Sequence, residues 1–343
     1  MRKIFARLKL VAHILRYGRL PVDGRVEMRP LAAEEIAEIK EFFPMSKFFV
    51  FGHARSGTTL LARLVRLHPE VHCNWQAHFF TRPPLLRSLV ADADVAAWLS
   101  RRSNRWNRAA DLSPLVLRAA SDFILERDAR QAGKSVVGDK SPNSLLNGQA
   151  VRELHAVYPD AKLVFIVRDG RDVLVSHRFQ QFIDTPEHLS KEDLAIREVY
   201  AKDPHSFMNS DRSVFTPKGI SQAADSWRKN VQETDQIARD LFGEQYLCLH
   251  FEDLLIHPFE QLASLWQFLG VDPSGLESTV ASEIEKNPDA DWQRQKAGSL
   301  VAELEKGKRG SWQDLFTRQD RQTFKEIAGD MLVAWKYEED LNW

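Results

Sequence analysis

The strongest constraint on this chain is a short apolar run that ends in a glycine-framed loop and restarts as an amphipathic segment. Phe48, Phe49, Val50 and Phe51 lead into Gly52-His53-Ala54-Arg55-Ser56-Gly57-Thr58-Thr59, and TTLLARLVRLHP follows. The apolar run is too short for a helix and reads as a buried strand over 48–51. The segment after the loop has helical spacing and is ended by Pro69. A buried strand, a glycine turn and a helix begin an α/β unit with strands covered on both faces. Glycines at 52 and 57 let backbone N–H groups turn inward, and the helix start adds unpaired donors and a positive dipole end. The loop is therefore built to hold an anion.

Three later apolar segments repeat the pattern. SVVGDK predicts a strand at 135–138, AKLVFIVRDG one at 161–167, and QYLCLHFEDLL one at 246–250. Helical segments follow them at NGQAVRELHAVYP, near Arg171 and at PFEQLASLWQFLG, and RQTFKEIAGDMLVAWKYEED closes the chain with another. The expected fold is α/β, a P-loop-type three-layer arrangement with a mostly parallel central sheet flanked by helices and helical excursions. The expected organisation is an N-terminal helical extension over 1–47, then one domain over 48–343 with a helical insert at 82–132. The stretches 180–220 and 274–311 lack strand signals and read as lids, substrate loops or plain surface connections.

Composition narrows the partners. The chain has 343 residues, with 47 Lys+Arg against 48 Asp+Glu and a formal net charge of -1, so nucleic acid held by global positive charge is excluded as the main activity. Cys73 and Cys248 are the only cysteines. They imply neither a disulfide framework nor a metal cluster, and a reducing, cytoplasmic setting fits best. Residues 1–20 interleave Phe5, Leu8, Val11, Ile14 and Leu15 with Arg2, Lys3, Arg7, Lys9, Arg16 and Arg19. This spacing predicts a basic amphipathic helix, packed on the domain or in peripheral contact with a membrane.

Motif chemistry points to a nucleotide with two anionic ends. The GxxxxG spacing of the first loop matches a P-loop, but Thr58 stands where ATPases and GTPases require Lys, and the positive charge lies inside the loop at Arg55. The whole segment resembles the phosphosulfate loop of sulfotransferases that use 3'-phosphoadenosine 5'-phosphosulfate (PAPS), in the Arg-loop form of protein-tyrosine sulfotransferases and a bacterial group. The resemblance implies that Arg55 stabilises the sulfonate and that Ser56, Gly57, Thr58 and Thr59 hold the 5' end. RDGRDVLVS resembles the family's 3'-phosphate signature, which implies that Arg168 and Ser176 contact that phosphate; Gly170 replaces the usual Pro. Lys306-Gly307-Lys308-Arg309-Gly310-Ser311-Trp312 resembles the late loop that closes over the nucleotide. Lys140, in GDKSPNS, resembles a cation that helps hold the phosphosulfate. HFEDLL, with Phe251 for the usual Tyr, reads as structural support.

The expected activity is transfer of a sulfonate from PAPS, as co-substrate and without a metal, to a hydroxyl or amine of a small-molecule, lipid or glycan acceptor. A general base is the weak point. Relatives carry Glu where this chain has Gln76, and His78 is the nearest substitute, with His53, Asp139 and His177 in reserve. Trp75, Phe79, Phe80, Trp98 and Trp106 are candidates for shaping an acceptor site, or for ordinary core. Two other readings stand beside this one: a different P-loop transferase or kinase-like enzyme, and a non-catalytic nucleotide-binding protein.

Overall fold

A computed structural model describes residues 11, 28–82, 85–103, 105–108, 110–143, 145–286 and 309–343. The basic N-terminal segment, apart from Val11, and Lys306, Gly307 and Lys308 of the late loop lie outside the described residues.

Five strands form one sheet: β1 (Ser46–Phe51), β2 (Val71–Trp75), β3 (Val136–Lys140), β4 (Lys162–Val167) and β5 (Tyr246–His250). Their order is β2-β3-β1-β4-β5 and each neighbouring pair is parallel. β1 is therefore central, which explains its unbroken apolar sequence. Successive side chains of a strand face opposite sides of a sheet. Phe48 and Val50 join one core layer, with Val164 and Ile166, while Phe49 and Phe51 join the other, with Leu163, Phe165 and Val167.

Helices cover both faces. On one side lie α2 (Thr58–Val65), α9 (Phe251–Ile256), α10 (Pro258–Leu269) and α11 (Glu277–Lys286), with Leu61, Val65, Leu265 and Trp266 in the packed layer. On the other lie α4 (Ser113–Gln131), α5 (Gln149–Val157), α6 (Gly170–Asp184), α8 (Pro217–Phe242) and α13 (Arg318–Ala334). Smaller helices are α1 (Ala33–Phe42), α3 (Ala93–Ser100), α7 (Lys191–Lys202) and α12 (Ser311–Leu315).

The expected excursion at 82–132 is helical, with α3 and α4 on either side of a loop at RRSNRW. Helix α4 is tied to the sheet by buried charge. Lys47 Nζ lies 2.6 Å from Glu126 and 3.5 Å from Asp122, and Arg118 reaches Asp122 and Asp160, each at 2.7 Å. Tyr158 donates its hydroxyl to Asp122 at 2.9 Å, so the cluster's polar groups satisfy one another. The stretch 180–220 is less open than the sequence suggests. It carries α7 and short 3-10 turns, and it buries Tyr200, Phe207, Val214 and Phe215 against α6 and the late helices.

Candidate active site

Parallel α/β sheets gather ligands beyond the carboxyl ends of their strands, and four such ends meet here. After β1 the chain turns through Gly52–Gly57 into α2. Arg55 and Gly57 both adopt left-handed backbone, with φ of 74° and 91°. At Gly57 no side chain could be tolerated, because a Cβ there would lie 2.1 Å from Cδ2 of Phe251. Phe251, the first residue of α9, packs its ring directly under the loop. The other loop glycine, Gly52, is confined by the Ile166 carbonyl oxygen, 2.7 Å from where a Cβ would stand.

The loop after β4 meets the same ring. The Arg168 guanidinium sits 4.6 Å from the centroid of Phe251, and its Nη1 donates to the carbonyl oxygen of Arg55 at 3.3 Å. Arg55 in turn donates from Nε to Oγ of Ser176 at 3.1 Å. The two anion loops identified in the sequence are thus joined, residue to residue. Asp169 caps α6 by accepting from the Arg171 N–H at 2.9 Å, and its own N–H donates to Glu252 at 3.1 Å. Gly170 has a physical reason for replacing the family's Pro: the indole of Trp227, on α8, lies 2.5 Å from where a Cβ would be.

Arg171 and Asp172 have structural roles at the start of α6. Arg171 pairs with Asp169 at 2.7 Å and with Glu338, between the rings of Trp312 and Trp343. Asp172 accepts from the N–H groups of Gly310 at 2.8 Å and Trp312 at 3.2 Å. Burial pushes its carboxyl pKa up, and the nearby Arg168 pulls it down. Sequence reasoning missed this anchor, which brings the described end of the late glycine loop, Arg309 and Gly310, to the start of α6.

Lys140 ends β3, fully buried. Its Nζ donates to Thr59 Oγ1 at 3.2 Å and lies 4.9 Å from the centroid of Trp75, the residue paired with it on β2. Trp75 is still 46% exposed, so its indole both holds the ammonium and borders the open end of the sheet. Ser56 Oγ is buried without a hydrogen-bond partner. A buried hydroxyl left unpaired inside a glycine loop fits an oxygen-rich ligand that would complete it.

The residues considered as bases divide. Gln76 is exposed with φ of 55°. His78 is buried, pairs through Nδ1 with Thr81 Oγ1 at 2.9 Å, and leaves Nε2 without a partner. Burial, with help from Arg82 and Lys140, lowers its pKa to about 4, so it is neutral at pH 7 and a weak base. Asp139 points to the opposite face from Lys140 and accepts from Ala77 N–H at 3.0 Å and the Ser141 hydroxyl at 2.5 Å. Those bonds give it a bracing role. His53, in the loop, is lowered to about 4 by burial, and burial and Arg55 lower His177. Among the described residues no group of three or more His, Cys, Asp or Glu is placed to hold a metal ion.

The model of the sulfotransferase family matches residues 46–215, the segment that carries both anion loops, and over that segment the chain resembles that family. A protein-tyrosine sulfotransferase of Drosophila melanogaster is 25% identical over 232 residues, covering 66% of this chain and 38% of that protein. Nodulation protein NoeE of Sinorhizobium fredii is 22% identical over 315 residues, covering 85% of this chain and 66% of that one. The chain thus spans 38% to 52% of the length of the protein-tyrosine sulfotransferases from fly, worm and chicken that it resembles. Among solved structures, mouse sulfotransferase SULT7A1 complexed with PAP aligns with a TM-score of 0.46 at 15% identity, over 91% of this chain and 89% of that one.

Two outcomes test the site's construction. Gly57→Ala is expected to destabilise the fold by about 2–4 kcal/mol, through left-handed strain and collision with Phe251, measured by chemical denaturation. A second change, Phe251→Ala, should recover part of that loss. The other outcome concerns pH. Because His53 titrates near 4 when folded and near 6.5 when unfolded, only the unfolded chain gains its proton in that window. His53 should therefore remove about 3 kcal/mol of stability as pH falls from 6.5 to 4. His53→Gln should flatten the fall seen in denaturation curves across that range, and an unchanged slope would contradict the assignment.

Proposed function

We propose that this protein transfers a sulfonate group from PAPS to a hydroxyl or amine acceptor. One observation carries the reading: Arg55 of the first anion loop reaches Ser176 of the second at 3.1 Å, so both loops serve one ligand with two anionic ends. A nucleotide bearing a 5'-phosphosulfate and a 3'-phosphate has that form. Thr58 in place of a P-loop Lys leaves the loop without a lysine of its own, and the ammonium that reaches Thr59 comes from Lys140 on β3.

The division of labour follows from position. The turn Gly52–Gly57, the start of α2 and the hydroxyls of Ser56, Thr58 and Thr59 bind the 5' end. Arg168 and Ser176 hold the 3'-phosphate, with Arg309 and Gly310 approaching from the late loop; Lys306, Gly307 and Lys308 precede them in the sequence. The co-substrate supplies an activated sulfonate on a good leaving group. Arg55 and Lys140 neutralise the charge that builds on the sulfonate and bridging oxygens as the acceptor attacks in line. His78 is neutral and takes the acceptor's proton in this scheme, though its low basicity suits an acceptor that is already nucleophilic or acidic. The acceptor is a small molecule, lipid or glycan. A cytoplasmic location fits this reading, with the basic amphipathic N-terminal segment in peripheral contact with a membrane.

A non-catalytic nucleotide-binding role is the second reading. It is favoured by Gln76, which cannot accept a proton, and by the weak basicity of His78. Labelled PAPS offered with a panel of phenols, amines, glycans and lipids separates the two. Transfer to at least one acceptor class is expected, with Arg55→Ala lowering turnover about 100-fold or more while the unfolding midpoint holds. Full-strength binding of the nucleotide without transfer to any class would favour the second reading.

A further inference from the structure

The excursion after β2 carries a surface that the anion loops do not use. Trp98 on α3 and Trp106 in the loop that follows stack with ring centroids 4.8 Å apart and 29° between planes. They remain 58% and 50% exposed. Leu85, which caps the 3-10 turn Leu86–Val90 before α3, and Leu89 within it are 53% and 55% exposed. Arg101, Arg102, Arg105 and Arg108 surround the indoles in sequence, and no acidic residue occurs from Ala96 to Ala110. Among the described residues none of these four arginines makes an ion pair.

The patch is built rather than loose. The buried Asn107 side chain donates to the carbonyl oxygens of Leu99 at 3.0 Å and Arg101 at 3.3 Å. That staple folds the loop back, and Trp106 returns onto Trp98. A fixed arrangement that keeps two indoles in water has a cost that a bound partner would recover.

We propose that this tryptophan and arginine patch docks the protein on an anionic phospholipid surface. Indole rings, with an apolar body and one N–H donor, suit the membrane–water boundary, and guanidinium groups suit phosphate headgroups. The turn at Leu85 and Leu89 contacts α3, and these exposed leucines favour lipid over a hydrated polyanion such as a glycan or nucleic acid. Aliphatic side chains gain free energy on entering the acyl boundary and gain little against a hydrated polymer. The proposal stands apart from the sulfonate-transfer reading, since it concerns where the protein sits and not what the anion loops hold.

Co-sedimentation of the full chain with vesicles tests it. Phosphatidylcholine vesicles should retain little protein, and vesicles with about one third phosphatidylglycerol should retain it strongly at low salt. The double variant Trp98→Ala/Trp106→Ala should lower the partition coefficient about tenfold or more, with an unchanged unfolding midpoint. Arg101→Gln/Arg105→Gln should weaken binding as well and flatten its dependence on salt, which follows from screening of headgroup attraction. Equal retention of wild type and both variants would overturn the proposal and move any membrane contact to residues 1–20. Failure of the wild type to bind anionic vesicles, with or without binding to dextran sulfate, would overturn it too.

Discussion

The site depends on the ring of Phe251. Gly57 touches it where a Cβ would lie 2.1 Å away, and the Arg168 guanidinium lies 4.6 Å from its centroid. The ring opens α9 directly after β5, while Gly57 and Arg168 follow β1 and β4. These three strands are neighbours in the sheet, so their carboxyl ends are side by side before any ligand arrives. An apolar ring wedged between a glycine and a cation sets the spacing of two polar loops without competing for their donors. Glu252, the next residue, accepts from the Asp169 N–H at 3.1 Å and from the Tyr337 hydroxyl at 3.2 Å, which ties the same corner to the chain's end.

Holding so much positive charge at one sheet edge has an electrostatic cost, and the fold offsets it with buried acids assigned to particular tasks. Asp169 and Glu338 occupy Arg171, which two tryptophans clamp, so this arginine is committed to architecture. Asp172 holds the Gly310 and Trp312 amides and stands 3.9 Å from Arg168. Burial raises the pKa of both Asp172 and Glu252, the mark of carboxylates kept in place by their partners rather than by water. Among the described residues, Arg55, Lys140 and Arg168 stand at the loops, where they donate to Ser176, Thr59 and the Arg55 carbonyl oxygen.

Much of this was legible in the sequence, for local reasons. β1, β3, β4 and β5 are apolar runs because both faces are covered, and the anion loops carry their own glycines, threonines and arginines within a few residues. β2 gives no clear signal because His72 and Asn74 interrupt Val71 and Cys73, and the alternation is too short to stand out. The helices within 180–220 escaped because their apolar residues are scattered among charges and pack only against distant partners. Gly57 against Phe251, Asp172 against Gly310 and Gly170 against Trp227 join residues tens to hundreds of positions apart, which no local pattern reveals. The departure at Gly170 was visible in the sequence, but its cause was not. Lys306, Gly307 and Lys308 lie outside the described residues.

On the proposed reading, the two anion loops form one site for a nucleotide with a phosphorylated 3' position. Isothermal calorimetry with 3'-phosphoadenosine 5'-phosphate, with ATP and ADP in magnesium as comparisons, tests it most directly. Selective binding of the bisphosphate is expected, with its loss in Arg168→Ala, whose fold is retained. Binding of ATP in preference to the bisphosphate, or bisphosphate binding that survives the loss of Arg168, would contradict it.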